Sequence, residues 1–454
     1  MTLIKSISGI RGTIGGSIGD NLTPMDVVEC AAGFGVWIKK RSTSPTVVVG
    51  RDGRLSGEIV SQLAIQTLLA SGIDVIDLGL STTPTVEMMV PQFGAAAGIV
   101  FTASHNPAEW NALKFLNDKG EFISAADGDE IIEYIASRDI AFSSVTTLGK
   151  YSKYENHIAD HISKVLALPL VDIEAVSKAD FHVVVDCINS TGAISIPPLL
   201  DQMGVKYTLI NDDNFGNFAH NPEPLPEHLA ELCQTVVNLK ANLGISVDPD
   251  VDRLAFVSEN GELFGEEYTL VAIADYILSR KGGNTVSNLS STRALADVTR
   301  IHGGTYTAAA VGEVNVVNAM KATHAVIGGE GNGGVIVPEL HYGRDAIAGI
   351  ALFLSHLAIA NISMTALKAT YPAYAIIKDK IVLTPEIDIE AMLAKIKVAF
   401  ANENLNEVDG LKIDFAEGWV HMRKSNTEPI IRIYCEAGNP EEAKILIDKV
   451  KAAL

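Results

Sequence analysis

Short apolar, β-branched runs alternate with helical patterns along most of this chain, and that alternation restricts its architecture more than any other feature. Residues 46–49 (TVVV) read as a strand ending in Gly50-Arg51-Asp52-Gly53-Arg54. A helix over 56–71, a strand around 74–77, a short helix after Pro84 and a strand over 97–101 follow. Strands separated by helices lie parallel in one sheet, with the helices on its faces. The pattern restarts with a helix over 154–168, then strands 182–186 and 207–210 around a helix 194–203. It restarts again after Gly265, with a helix to about residue 280, a strand near Val286 and a helix from Ala294. The end of the chain differs: two helices, 388–400 and 440–453, the second capped by Asn439, surround strands. The expected fold is therefore α/β: three successive related domains with mixed, largely parallel sheets, then a smaller C-terminal α+β domain. The expected boundaries are 1–150, 151–258, 259–372 and 373–454.

A chain of 454 residues exceeds one ordinary core, which agrees with several domains. A formal charge of −20 argues against a nucleic-acid partner or an anionic membrane surface. Cys30, Cys187, Cys233 and Cys435 form no CxxC pair, so they read as reduced thiols of a cytoplasmic protein. The opening MTLIKSISGIRG lacks the apolar core of a signal peptide. Residues 346–362 are apolar enough to be tested as a membrane span. They are short for one, carry Ser355, His356 and Asn361, and follow Arg344-Asp345, so a helix buried between protein layers is expected.

Four stretches carry chemistry. The strand over 97–101 stops at Thr102-Ala103-Ser104-His105-Asn106-Pro107, leaving Ser104 on a loop at a strand's carboxyl end, where open α/β sheets bind ligands. An ordinary turn capped by Ser104 is one reading; a hydroxyl that carries a phosphoryl group, with His105 and Lys114 as basic neighbours, is the other. Asp248, Asp250 and Asp252 alternate between two apolar strands and can converge on one hard cation, with Mg²⁺ expected. An EF-hand is excluded, because Arg253 stands where its loop needs Gly and the flanks are strands. Gly328-Gly329-Glu330-Gly331-Asn332-Gly333-Gly334 satisfies GxGxxG, yet VIVP follows rather than a helix, which argues against a dinucleotide site. Glu330 and Asn332 suit hydrogen bonds to sugar hydroxyls. Arg423, Ser425, Asn426, Thr427 and Arg432 would make an anion cradle, or else a polar hairpin turn. Arg11, in SISGIRGTIGG, lies on a flexible terminus or on a backbone bent to aim it into a cleft. His157 and His161 have metal-ligand spacing, but with no third ligand they read as surface or packing residues.

Together TASHNP, DPDVDR, GEGNGG and RKSNTEP, in that order and spanning essentially the whole chain, resemble the loops of the α-D-phosphohexomutase family. The resemblance implies four domains around a central cleft and a phosphosugar substrate. It also implies a phosphoserine at Ser104 that holds Mg²⁺ together with Asp248, Asp250 and Asp252. Hexose 1,6-bisphosphate would be intermediate and activator. Lys114 would transfer protons, and Arg11 and His105 would support the moving phosphoryl. Arg253 and Glu330 would bind substrate, and Arg423, Ser425, Asn426, Thr427 and Arg432 the phosphate not in flight. The protein would act as a monomer or homodimer. Departures bear on the sugar: Asn332 and Gly334 stand where the family commonly has Ser and His in GExSGH, and Glu313 follows Gly312 where many glucose/mannose enzymes have His. These forms look most like phosphoglucosamine mutases, with phosphoglucomutase/phosphomannomutase as the alternative. A non-catalytic phosphosugar-binding protein is the alternative from another class.

Overall fold

The computed structural model describes residues 2–6, 9–383, 388–424 and 430–453. The chain divides into two compact units, residues 1–269 with 332–365 and residues 270–331 with 366–454.

The first unit contains a seven-stranded sheet in the order Ile4–Ser6, Gly9–Thr13, Trp110–Leu116, Ala97–Phe101, Thr46–Arg51, Asp74–Leu80, Tyr151–Lys153. From Ala97–Phe101 to Tyr151–Lys153 the neighbours are parallel, because helices Gly57–Ala70 and Thr83–Gln92 return the chain between strands. Trp110–Leu116 and Gly9–Thr13 extend the other side antiparallel. Successive residues point to opposite faces, so a strand covered on both must be apolar throughout. Val47, Val49, Ile99 and Phe101 accordingly pack with helices Pro24–Lys39, Gly57–Ala70 and Ala125–Ser137. Val48 and Val100 meet Val86 and Met89 of Thr83–Gln92 on the other side.

A second sheet in this unit runs Leu254–Ser258, Leu243–Val247, His182–Asp186, Lys206–Ile210. The last three are parallel, whereas Leu254–Ser258 is antiparallel to Leu243–Val247 with Val247 opposite Leu254. Residues 248–253 therefore close a hairpin. The apolar helix Ala346–Ala360 packs on helices His157–Leu166, Ile173–Lys178 and Gly192–Met203. Among the described residues no helix is long and apolar enough to cross a membrane. Asp345 caps this helix through Oδ1, and its Oδ2 meets His161 Nε2 at 2.8 Å and His341 Nε2 at 3.2 Å. His157 bridges the carbonyls of Tyr154 and Leu80. Both histidines are buried packing residues.

The second unit holds three parallel strands, Tyr306–Ala309, Asn284–Asn288 and Ala325–Glu330, with helices Ala294–Ile301 and Glu313–Thr323. An antiparallel sheet follows in the order Ala375–Val382, Ile430–Ala437, Gly418–Lys424, Leu411–Asp414, Asn404–Asn406. Helices Ile389–Ala399 and Pro440–Lys451 cover it, the latter capped by Asn439 as expected. His421 is buried here, with Nε2 2.6 Å from the Asp409 carbonyl and Nδ1 2.9 Å from Ser290 Oγ. A neutral ring fits both contacts, donating at Nε2 and accepting at Nδ1. Burial first, then the Lys412 ammonium, pushes its pKa down to about 4, with the carbonyl bond opposing. The unfolded chain therefore binds a proton that the folded chain refuses, so stability is lost as pH falls from about 6.5 toward 4. Over that window the loss is on the order of 3 kcal/mol. Denaturation of His421→Gln at a series of pH values is expected to show a correspondingly shallower acid dependence than the parent.

Candidate active site

Ser104 lies just beyond the strand Ala97–Phe101, at φ +49°, a left-handed backbone that costs a residue with a side chain about 1–2 kcal/mol. The surroundings impose it. Arg54 donates from Nη2 to the carbonyls of Ser104 and Asn106, both at 2.6 Å. Its Nη1 reaches the carbonyls of Pro107 at 2.6 Å and Trp110 at 2.9 Å, and Nε reaches Asp52 Oδ2 at 3.0 Å. Thr102 Oγ1 donates to the same Asp52 oxygen and accepts the Ser104 N–H. Thus the whole guanidinium of a buried arginine is devoted to the shape of one turn. The result is a Ser104 hydroxyl donating to Asp248 Oδ2 at 2.7 Å, with His105 Nδ1 at 3.4 Å.

The three aspartates converge as expected and are fully buried: one ligand atom from each lies within 4.8 Å of the other two. Neighbours saturate one oxygen of each. Asp248 Oδ1 accepts the backbone N–H groups of Asp252 and Arg253. Asp250 Oδ2 accepts from Thr83 Oγ1 at 2.6 Å and Lys114 Nζ at 3.0 Å. Asp252 Oδ2 accepts from Arg344 Nη2 at 2.6 Å. Asp250 Oδ1 and Asp252 Oδ1 are buried with no hydrogen-bond partner among the described residues. An unpaired buried carboxylate oxygen is costly, and two beside a hydroxyl form a donor set for a hard divalent cation. The residues fit Mg²⁺.

Electrostatics agree with that geometry. Burial, then the charges of Asp252 and Asp250, raises Asp248 well above the ordinary carboxylate range. For Asp250 burial also pushes upward, but the Lys114 ammonium and the Thr83 hydroxyl outweigh it and hold it low. Lys114 is raised: burial opposes its charge, and Asp250 and Asp252 overcome that. Burial and the cations Arg253, Lys114 and Arg344 push His105 down to about 2, so its ring is neutral.

Arg11 sits on Gly9–Thr13 opposite Ala112, and Lys114, two residues along that neighbouring strand, shares its face of the sheet. Arg253 is buried, with Nη1 3.4 Å from Glu223 Oε1 and Nε without a hydrogen-bond partner among the described residues. Asn332 accepts from the N–H of Gly334 in its own loop. In the second unit, Glu330 is buried at the end of its strand, accepting from Asn288 Nδ2 at 3.0 Å and the Gly312 N–H at 3.1 Å. Arg423 and Arg432 face each other directly across neighbouring strands. Like charges so placed repel, and an anion between them relieves the repulsion. Ser425, Asn426 and Thr427 lie outside the described residues.

The first unit thus brings together Ser104, His105, Lys114 and the aspartates. Sequence reasoning missed Arg54, Thr83 and Arg344. Arg54 stood in a visibly charged loop after a strand and Arg344 at the edge of an apolar segment, but nothing local named their partners.

The chain matches the phosphoglucomutase/phosphomannomutase alpha/beta/alpha domain I over residues 3–141, domain II over 159–261, domain III over 265–374 and the C-terminal domain over 380–453. A phosphoglucomutase/phosphomannomutase from Thermococcus kodakarensis is 34% identical over 440 residues, covering 95% of both chains. A probable phosphoglucosamine mutase from Methanopyrus kandleri is 33% identical, covering 97% of this chain and 95% of that one. The crystal structure of a phosphoglucomutase/phosphomannomutase family protein from Burkholderia thailandensis superposes with a TM-score of 0.85 at 25% identity, covering 99% and 96%. Fold and domain series together define a phosphohexomutase, an intramolecular phosphotransferase. The chain belongs to the phosphoglucomutase/phosphomannomutase family.

Proposed function

We propose that this enzyme interconverts glucosamine 6-phosphate and glucosamine 1-phosphate through a phosphoserine at Ser104 and a hexose 1,6-bisphosphate. The Ser104 hydroxyl, 2.7 Å from a buried aspartate triad in which two oxygens have no hydrogen-bond partner among the described residues, carries the reading. Ser104, Asp248, Asp250 and Asp252 would hold Mg²⁺, which when bound neutralises charge on the transferring phosphoryl. The left-handed turn presents the Ser104 oxygen, from which the phosphoryl group passes to a sugar hydroxyl as the Oγ–P bond breaks and the sugar O–P bond forms. Lys114, an ammonium at neutral pH, gives a proton to the Ser104 oxygen as the phosphoryl leaves it and regains one from the attacking sugar hydroxyl. Neutral His105 and cationic Arg11 support the moving phosphoryl, and Arg253 binds substrate. Glu330 and Asn332 bind the sugar, and Arg423, Ser425, Asn426, Thr427 and Arg432 grip the other phosphate.

Glu313 and the GEGNGG loop, together with the likeness to a probable phosphoglucosamine mutase from Methanopyrus kandleri, favour the amino sugar. The Thermococcus kodakarensis relative keeps glucose and mannose phosphates as the second reading. Phosphorus-31 NMR with Mg²⁺ and a catalytic amount of hexose 1,6-bisphosphate separates the two. Glucosamine 6-phosphate is expected to exchange with its 1-phosphate at least about tenfold faster than glucose or mannose 1-phosphate with their isomers. Faster exchange of either neutral sugar would reassign the substrate and leave the phosphoserine chemistry intact.

A further inference from the structure

Position 334 carries Gly, and the space that a side chain would take there is filled from elsewhere in the chain. A Cβ built on Gly334 would lie 2.3 Å from Arg344 Cδ and 3.0 Å from its Cγ. These are atoms in the middle of the side chain, so the arginine could not keep its path by a small shift of its tip. Gly334 has no positive φ, so an alanine there meets a steric obstacle and no backbone strain. Through that gap Arg344, itself buried, reaches Asp252 Oδ2 at 2.6 Å. Its backbone is pinned on both sides. Arg344 bridges Ile336, and the next N–H groups, of Asp345 and Ala346, bond the carbonyls of Val335 and Val251. Val251 lies inside the aspartate loop, so the arginine and the triad share one frame.

We infer that Arg344 is a positioning residue for the metal site, and that glycine at 334 is what admits it. A charge-assisted bond to Oδ2 fixes the Asp252 carboxylate, leaving Oδ1, the oxygen without a hydrogen-bond partner among the described residues, for the cation. Thr83 and Lys114 do the same for Asp250 from another side. The inference rests on the reading that the triad binds Mg²⁺.

Two effects oppose each other if the guanidinium is simply deleted: the carboxylate loosens, while the site becomes more negative and attracts a cation more strongly. Gly334→Ala separates them, because it displaces the arginine and leaves its charge in the chain. Mg²⁺ titration calorimetry on the purified full-length protein is expected to show affinity about 10–100-fold weaker in Gly334→Ala than in the parent. Arg344→Lys, which keeps the charge but not the planar fork, should fall between them. A packing role alone would lower the melting temperature in EDTA and leave the Mg²⁺ affinity where it was. Affinity within about twofold of the parent in both variants overturns the inference, and Arg344→Lys decides alone if Gly334→Ala does not fold. Asp250→Asn keeps the two readings apart. If the parent binds no Mg²⁺, or Asp250→Asn binds it equally well, the metal site itself is wrong; if Asp250→Asn alone loses binding, only the role of Arg344 fails.

Discussion

Ser104→Ala is expected to lower mutase turnover by at least about 10⁴-fold, with any residual rate coming from binding and electrostatics that remain in place. The hydroxyl's polar neighbours are Asp248 Oδ2 and His105 Nδ1, and the turn is held through backbone carbonyls, the Thr102 hydroxyl and Arg54, all of which survive the substitution. Alanine tolerates the left-handed backbone about as poorly as serine does, so stability should fall by about 1–3 kcal/mol, the cost of leaving the buried Asp248 Oδ2 without its donor. A large loss of rate without a loss of fold is the signature of a nucleophile. Intact mass spectrometry after incubation with hexose 1,6-bisphosphate should show a phosphoryl adduct on the parent and none on the variant. Turnover of the variant within about tenfold of the parent would remove Ser104 from the reaction path.

The fold was legible where its signal was local. Val47, Val48 and Val49 are apolar because both faces of their strand are covered, and such runs separated by helices admit one arrangement. The same logic located the hairpin around the aspartates. It did not reveal that Trp110–Leu116 is a strand, since that segment owes its structure to pairing with Ala97–Phe101 and Gly9–Thr13. Nor did it resolve the glycine-rich start. Gly9 there stands at φ +124°, and an added Cβ would fall 2.1 Å from the Leu113 carbonyl, so what reads as punctuation is a close approach of two strands. Nor did it show that residues 332–365 pack in the first unit, because the apolar surface of helix Ala346–Ala360 does not name its partner helices. At the site, residues that touch reactants were legible because chemistry restricts their type. The residues that position them were not, because Arg54 bonds carbonyls some 50 positions away and Arg344 a carboxylate 92 positions away. Any hydrogen-bonding side chain at the right point in space could have served.

Neutralising one aspartate should separate the two costs this site carries. In the absence of a cation three carboxylates share a buried loop, and Asp248 is raised far above the ordinary range by burial, Asp252 and Asp250. The folded chain therefore retains a proton that the unfolded chain has released, and the contribution of Asp248 to stability is greatest near or below the unfolded value of about 4 and declines as pH rises, opposite in sign to that of His421. Asp248→Asn is always neutral and escapes that decline. Its amide oxygen can still accept the N–H groups of Asp252 and Arg253, and its NH₂ can donate to Ser104 Oγ, so the loop keeps its bonds. In EDTA the variant should melt above the parent at pH 8, and by more than at pH 6. Added Mg²⁺ should raise the melting temperature of the parent and leave the variant nearly unmoved, while turnover of the variant falls by about 10³-fold or more. A variant that melts below the parent in EDTA at pH 8 would mean that the repulsion is relieved by something other than a cation. Asp250 Oδ1 and Asp252 Oδ1, which have no hydrogen-bond partner among the described residues, would then need a different account. If instead the order of stability reverses when Mg²⁺ is added, the destabilising cluster is the device that makes cation binding favourable.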